Sequence, residues 1–211
     1  GNGFIDPGNF AVDAHGDLRI IGNQSPRYRY GVNLSARWNG IGLSVFLQGV
    51  GARDWYPGSD AGMFWGKYGR PFFALIPSIH NYTDDMYSAE RNNWDTAYWP
   101  RMTTYQSNGT KNWTRLLEIP NTRYIQSAAY LRVKNIQLDY SFPKHICSAI
   151  RLQGLKIYVN AENLFTFTPL HKYAPNFDPE GLSYDSDFAS AADGYTYPIL
   201  KSVTVGVNIT F

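Results

Sequence analysis

The last part of the chain alternates between apolar and polar side chains with a period of two. Starting at Ile199, every second residue is apolar except for one lysine: Ile199, Lys201, Val203, Val205, Val207, Ile209 and Phe211. The residues between them are mostly small or polar. Because successive side chains of a β-strand point to opposite faces, this pattern predicts a strand over 197–211 with one apolar face and one polar face.

Four earlier segments show the same alternation. Together with the last one they predict five strands, over 26–38, 41–53, 125–142, 154–168 and 197–211. Asn39-Gly40 separates the first two strands and is a strong signal for a tight hairpin turn. In the third segment the apolar positions change phase by one residue near Lys134-Asn135, which indicates a β-bulge.

The connections between these strands alternate between short and long. The turn at Asn39-Gly40 and segment 143–153 are short, whereas 54–124 and 169–196 are long. Outer-membrane β-barrels have this asymmetry, with short periplasmic turns and long extracellular loops. Counting back from a periplasmic C-terminus, both long connections lie outside the cell. The pattern therefore predicts an extracellular loop segment over 1–25 and a β-barrel segment over 26–211.

A soluble β-sandwich has the same period of two, so alternation alone does not decide between a sandwich and a barrel. The predicted strands, at about 13 residues or more, are longer than the usual length of about five or six. Aromatic residues gather near their ends, where the aromatic girdles of membrane barrels lie: Tyr28, Tyr30, Trp38, Phe165, Phe167 and Phe211. Both features favour a barrel. A soluble all-β carbohydrate-binding module, with Trp and Tyr side chains that stack on sugars, is the alternative.

Composition gives little indication of chemistry. The formal net charge of +2 does not favour a nucleic-acid partner, and the single cysteine, Cys147, excludes a disulfide framework within the chain. The four histidines, His15, His80, His145 and His171, are not at metal-ligand spacing. No nucleophile motif, phosphate-binding loop or carboxylate pair is present, so the sequence predicts no enzyme activity and no cofactor. No apolar run approaches the roughly 18 residues that a membrane-spanning helix needs.

The leading segment holds three acidic residues among glycines, namely Asp6, Asp13 and Asp17. The spacing of an EF-hand calcium loop is absent. Since Asp and Gly are also ordinary turn formers, a calcium site and a turn-rich loop without metal are both open.

The connection 54–124 concentrates the tryptophans, since it holds five of the six in the chain. Its candidates for contact with a ligand or with a lid protein are Trp65, Tyr68, Trp94, Tyr98, Trp99 and Trp113. Aromatic side chains beside polar groups suit sugar or peptide contact, and they are equally typical of protein interfaces. They can also pack a small core within the loop itself. The sequence leaves these three roles open.

Four segments resemble one known family. "SAAYLRVKNIQLDYSFPK" is similar to its Tyr-Leu-Arg strand, and "LKIYVNAENLFTFTP" to its Tyr-Val-x-x-Gln-Asn-Leu-Phe-Thr strand, with Glu162 where Gln is usual. "IIGNQSPRYRYGVNLSARWNGIGLSVFLQGVGARDWY" resembles its Ile-Gly-Asn-x-x-Pro strand, hairpin and Phe-x-Gln-Gly strand, and "YPILKSVTVGVNITF" resembles its closing strand. The four segments occur in the order found in the SusC/RagA type of TonB-dependent outer-membrane transporter.

This resemblance implies an all-β fold in which antiparallel strands form part of a transmembrane barrel of about 22 strands around a plug. It also implies that the chain is the C-terminal part of the barrel, with the plug and the TonB box outside it. Such a transporter would import oligosaccharides or peptides without acting on them chemically. Its expected partners are a SusD-like surface lipoprotein that forms a lid, TonB as the source of energy, and the outer-membrane assembly machinery.

The resemblance further assigns roles to single residues. Val207, Ile209 and Phe211 would form the C-terminal signal that the assembly machinery reads. One face of each strand would contact the lipid bilayer and the other face the lumen. The predicted lumen-facing residues are Arg27, Arg29, Arg37, Lys156, Tyr158 and Glu162.

Overall fold

The structure, a computed structural model, describes residues 8–9, 11–56, 87–98, 121–175, 177–182 and 199–211. The strands in these ranges are β1 Arg27–Trp38, β2 Ile41–Ala52, β3 Asp54–Trp55, β4 Gln126–Ser127, β5 Tyr130–Ser141, β6 Gly154–Phe167 and β7 Ser202–Thr210. The α-helix α1 covers Lys144–Ala149, and a short 3-10 helix covers Pro169–Lys172. Within the described ranges, no helix is long and apolar enough to cross a membrane.

Five of these strands form one antiparallel sheet in the order β1-β2-β5-β6-β7. Each neighbour in the sheet is also the next long strand in the sequence, so the predicted antiparallel meander is confirmed. β3 and β4 pair with each other as a separate two-stranded ribbon. This ribbon follows β2 and precedes β5 in the chain, so it extends from the end of the sheet where β2 stops. We call that end the loop end and the opposite end the turn end.

The strand predicted over 125–142 is divided in the structure, because β4 belongs to the ribbon and β5 starts only at Tyr130. Between them the backbone N–H of Ala128 donates to the carbonyl of Arg53 at 2.8 Å, and Ala128 is completely buried. The sequence pattern predicts one strand instead of two because the alternation does not change where the chain exchanges one pairing partner for another. The other predicted bounds are close, except that β7 starts at Ser202 rather than at 197.

The predicted β-bulge is present at Lys134. Leu47 pairs with Val133 and Phe46 pairs with Asn135, so two residues of β2 lie opposite three of β5. The pairing of β5 with β6 shifts at the same place. A bulge adds one residue to a strand and changes the direction of its side chains. Here Lys134 and Asn135 therefore follow each other on the same side of the sheet.

One face of the large sheet is apolar and stays largely exposed. Directly paired residues point to the same side of a sheet, and the register aligns apolar side chains across all five strands. One such row consists of Leu34, Val45, Ile136, Ala161 and Val203. Val205, in a neighbouring row, is 73% exposed. A soluble sandwich would cover this apolar face with a second large sheet, and the described part of the chain contains none.

The two short connections lie at the turn end. Asn39 and Gly40 have positive φ angles of 46° and 86°, as a type I′ hairpin turn requires. The second connection contains α1 directly after Pro143, a helix that the sequence pattern missed because it is less than two turns long. It buries Cys147, whose thiol donates to the carbonyl of Phe142 at 3.7 Å.

Candidate functional site

The face opposite the apolar rows, which we call the polar face, carries the residues predicted to face a lumen. They lie at exposed or half-buried positions of β1 and β6: Arg27, Arg29, Arg37, Lys156, Tyr158 and Glu162. Glu162 accepts a hydrogen bond from the hydroxyl of Ser202 on β7 at 3.1 Å. That this face lines a lumen stays a prediction.

Near the turn end of the polar face, Asp139 binds two cations from different strands. Its carboxylate lies 3.2 Å from the guanidinium of Arg37 and 3.3 Å from the ammonium of Lys156. The side chain of Asp139 is only 6% exposed, and it lies across Gly42 of β2. A methyl group at Gly42 would come within 2.7 Å of the carboxylate. The missing side chain therefore makes room for this three-residue ion pair network.

A second charged network lies at the loop end of the polar face, and its centre is Arg132 of β5. The guanidinium of Arg132 donates to Asp178 at 2.6 Å, to Glu180 at 2.7 Å and to the hydroxyl of Thr166 at 2.9 Å. Lys134 forms a further ion pair with Glu180 at 2.8 Å. The side chain of Arg132 is 4% exposed. The two carboxylates belong to segment 177–182, which therefore lies against the polar face of the sheet.

An apolar cluster holds segment 177–182 in place at the loop end. We call it the cap cluster, and it consists of Trp55, Tyr56, Tyr124, Ala128, Leu170, Ala174, Phe177 and Leu182. Trp55 of the ribbon contacts Phe177 with ring centroids 4.8 Å apart. Burial of these side chains removes apolar surface from water and so favours the observed position of the segment.

Arg53, which lies between β2 and the ribbon, adds polar contacts to the same segment. Its guanidinium donates to the backbone carbonyls of Gln24, Pro179 and Leu182 at 3.1, 3.2 and 2.9 Å. Arg53 is 3% exposed. Arg53 therefore holds the backbone of segment 177–182 through the carbonyls of Pro179 and Leu182. These contacts do not involve the side-chain carboxylates of Asp178 and Glu180.

Burial shifts the pKa values of several titratable groups around the cap cluster. Burial raises the pKa of Tyr98 to about 12 and raises the pKa of Tyr56 as well, so both phenols stay protonated at neutral pH. Burial lowers the pKa of His171, against the opposing effects of a hydrogen bond with the backbone of Phe177 and of the nearby Asp178 charge. His171 is thus held as the neutral imidazole near pH 7.

A concave pocket of about 560 Å³ lies beside the Arg132 network. Its lining includes Arg29 and Gln48 from the polar face, Tyr130, Arg53, and Pro179 and Glu180 of segment 177–182. The Gln48 amide donates to the Glu180 carboxylate at 3.5 Å. The pocket therefore combines guanidinium groups, an amide and an aromatic ring with one wall that segment 177–182 supplies.

Two of the predicted contact aromatics lie in described residues, and they have different surroundings. Trp94 is 73% exposed. Tyr98 stacks on Tyr173 with ring centroids 3.6 Å apart, and its hydroxyl donates to the carbonyl of Arg123 at 3.0 Å. The other four, Trp65, Tyr68, Trp99 and Trp113, lie outside the described residues. Contact with a ligand or a lid stays a prediction for all six.

The sequence did not identify the residues of the second network. Alternation places Arg132 on the polar face, and Asp178 and Glu180 appear in the sequence as an unremarkable "DPE" within a long connection. The sequence did contain one signal for this network. Two cations lie on the polar face of one strand, and two acidic residues lie in the loop that follows the next strand. Pairing them requires knowing that the loop folds back over the sheet.

Among the described residues, no group of three or more His, Cys, Asp or Glu side chains is placed to hold a metal ion. Asp13 and Asp17 are included in that statement, whereas Asp6 lies outside the described residues.

Val207, Ile209 and Phe211 lie at the exposed apolar end of the last strand, and their role as an assembly signal stays a prediction.

Known proteins resemble this chain in sequence and in fold. Two curated relatives from Formosa agariphila are each named a TonB-dependent receptor. One is 26% identical, over 100% of this chain and 20% of the relative, and the other is 24% identical, over 97% and 18%. The RagAB peptide importer in its open-open state matches with a TM-score of 0.56 and 19% identity, over 96% of this chain and 19% of that chain. Its closed-closed state matches with a TM-score of 0.55 and 18% identity, over 96% and 19%.

No family model matches the chain. The chain spans about a fifth of the length of the relatives that it matches. At 18–19% identity, the likeness to RagAB shows the fold alone.

Fold and sequence relationships agree on the class of protein. An antiparallel all-β sheet with one exposed apolar face and one charged face has the architecture of part of an outer-membrane β-barrel wall. More particularly, the resemblance to SusC/RagA-type TonB-dependent transporters is confirmed by the named receptors and by the RagAB fold. The names of these relatives describe receptors and a peptide importer.

Proposed function

We propose that this chain forms part of the wall of a TonB-dependent outer-membrane transporter that imports oligosaccharides or peptides. The observation that carries the proposal is the contrast between the two faces of the five-stranded sheet. The apolar rows suit contact with lipid acyl chains, and the charged polar face suits a hydrated lumen. The relatives named TonB-dependent receptors and the RagAB fold support the same function.

The proposed orientation places the loop end outside the cell and the turn end in the periplasm. The loop end carries the ribbon, the cap cluster and the pocket, and it receives both long connections and the leading segment 1–25. Of the residues that the structure describes, the turn end carries Asn39-Gly40, the short connection with α1, and the end of β7. Long outer loops and short periplasmic turns are typical of such barrels.

The proposed partners follow from this orientation. A SusD-like surface lipoprotein would cover the loop end as a lid. TonB would act through a plug and a TonB box in another part of the transporter, and the assembly machinery would insert the barrel into the membrane. In this proposal the chain contributes the lumen-facing residues on β1 and β6 and the substrate-facing loop end.

Cell fractionation and uptake test the proposal together. The full-length transporter is expected in the outer-membrane fraction, released only by detergent. A strain that lacks it should lose uptake of at least one fluorescent oligosaccharide or peptide mixture, and inactivation of TonB should abolish the same uptake. Recovery of the protein from the lysate without detergent would instead support the soluble carbohydrate-binding module.

A further inference from the structure

Segment 177–182 inserts two carboxylates between cations of the sheet wall. Arg132 holds Asp178 and Glu180 at 2.6 and 2.7 Å, and Lys134 holds Glu180 at 2.8 Å. Glu180 also borders the pocket of about 560 Å³ at the loop end. Through Glu180 the pocket thus adjoins a basic site, formed by Arg132 and Lys134, that a carboxylate of the protein itself already occupies.

We propose that Glu180 is an internal occupant of a carboxylate-binding subsite, and that the substrate is an oligomer that carries a carboxylate. The proposal rests on the function proposed above and names the chemical class of its substrate. The incoming carboxylate binds Lys134 and Arg132 in place of Glu180. The rest of the oligomer lies in the adjoining pocket, against Tyr130 and Gln48.

The burial of Arg132 favours an exchange of one carboxylate for another over simple loss of Glu180. Arg132 is 4% exposed, and a protein is strongly destabilised when a buried guanidinium loses its charged partner. A carboxylate ligand keeps the charge of Arg132 and Lys134 compensated during the exchange, whereas a neutral ligand does not. The site therefore selects for an anionic group rather than for bulk or hydrophobicity.

The exchange requires only a side-chain movement. The backbone of segment 177–182 is held by Arg53 through the carbonyls of Pro179 and Leu182, and by Phe177 and Leu182 in the cap cluster. None of these contacts uses the Glu180 carboxylate, whose side chain is 24% exposed. The Glu180 side chain can therefore rotate away from both Lys134 and Arg132 while Asp178 stays paired with Arg132.

The test measures binding to the purified full-length transporter together with its co-purifying partner. The probes are two matched pairs. One pair is a set of pentapeptides that differ by a central Glu or Gln, and the other is trigalacturonic acid and its methyl ester. The peptide pair and the sugar pair distinguish the two sources of a carboxylate. The variants are Glu180→Gln, Lys134→Met and the control Glu90→Gln, at an exposed turn position that is not part of the pocket lining.

Glu180→Gln removes the internal competitor, so the affinity for the acidic member of one pair should rise by about tenfold. The affinity for its neutral partner should stay within about twofold. Lys134→Met should lower the preference for the acidic member, since it removes one of the two cations. Glu90→Gln should change neither affinity.

Three results would overturn the inference. If the acidic and neutral members bind equally in the wild type and in Glu180→Gln, the subsite does not exist. If Glu180→Gln weakens both members alike, Glu180 has only a structural role. If no member of either pair binds to any variant while the wild-type transporter takes up other, neutral oligomers, the carboxylate inference alone is wrong. If the wild-type transporter takes up no oligomer at all, the proposed function is contradicted as well.

Discussion

At the residue scale, the charged network at the turn end depends on a position without a side chain. The carboxylate of Asp139 lies over Gly42, and there it reaches both Arg37 and Lys156. A β-carbon at residue 42 would occupy that space. The network is therefore a property of the glycine as much as of the three charged residues.

Gly42→Ala should lower the free energy of unfolding of the full-length transporter by about 1–3 kcal/mol, because it pushes Asp139 away from both cations. Gly154→Ala is the matched control, since a β-carbon there meets only the Thr210 side chain at an ordinary 3.6 Å. The control should change the free energy of unfolding by less than about 0.5 kcal/mol. Urea titration in lipid vesicles measures both. Equal effects at the two glycines would mean that Asp139 relocates without loss of its ion pairs.

Alternation predicted which side of the sheet Arg37 and Lys156 occupy, but not that they share one carboxylate. That contact depends on register, and the bulge at Lys134 alters the register between β2, β5 and β6. The contact of Gln48 with Glu180 spans 132 residues of sequence. Such pairs arise from the fold of the whole chain, and no local pattern records them.

At the element scale, the long strands were predictable because a period of two runs through each of them, with a change of phase in β5 at the bulge near Lys134. The short elements were not. The ribbon of β3 and β4 has two residues in each strand, and α1 has six, which is too short for a hydrophobic period to repeat. The position of segment 177–182 was also not predicted, since its sequence has no alternation and its position depends on contacts with distant strands.

The two faces of β7 provide the direct test of membrane orientation. Val205 lies in the middle of this strand on the apolar face, and Thr204 is its neighbour on the polar face. Val205→Arg should destabilise the transporter by roughly 2–4 kcal/mol near the bilayer midplane, and Thr204→Arg by much less, because its charge reaches water. A refolding titration in lipid vesicles gives both values. Equal penalties would mean that the apolar face is not the lipid face.

At the scale of the whole molecule, the described chain brings three features to one end of the sheet. The cap cluster closes over the loop end, the pocket opens beside it, and the exposed ring of Trp94 lies in a segment that contacts the cluster through Tyr98. A large exposed aromatic ring next to a packed cluster is typical of a contact surface. The ring of Tyr98, by contrast, is stacked on the ring of Tyr173. We therefore expect the two aromatics of one loop to have different roles, Tyr98 in packing and Trp94 in contact with a partner or ligand.

This division predicts how each residue affects the proposed lipoprotein lid. In the intact transporter, Trp94→Ala should lower recovery of the co-purified lid, with a loss of affinity of about tenfold or more, since exposed aromatic rings are frequent hot spots of interfaces. The heat-modifiable barrel should persist, because Trp94 contributes little to packing. Tyr98→Phe is the control. It keeps the stacked ring and loses only the hydrogen bond to the Arg123 carbonyl, so recovery of the lid should stay unchanged. Quantitative pull-down through a tag on the transporter compares the two variants. Full recovery of the lid with Trp94→Ala would exclude this ring from the interface, and substrate contact would then be the remaining role for it.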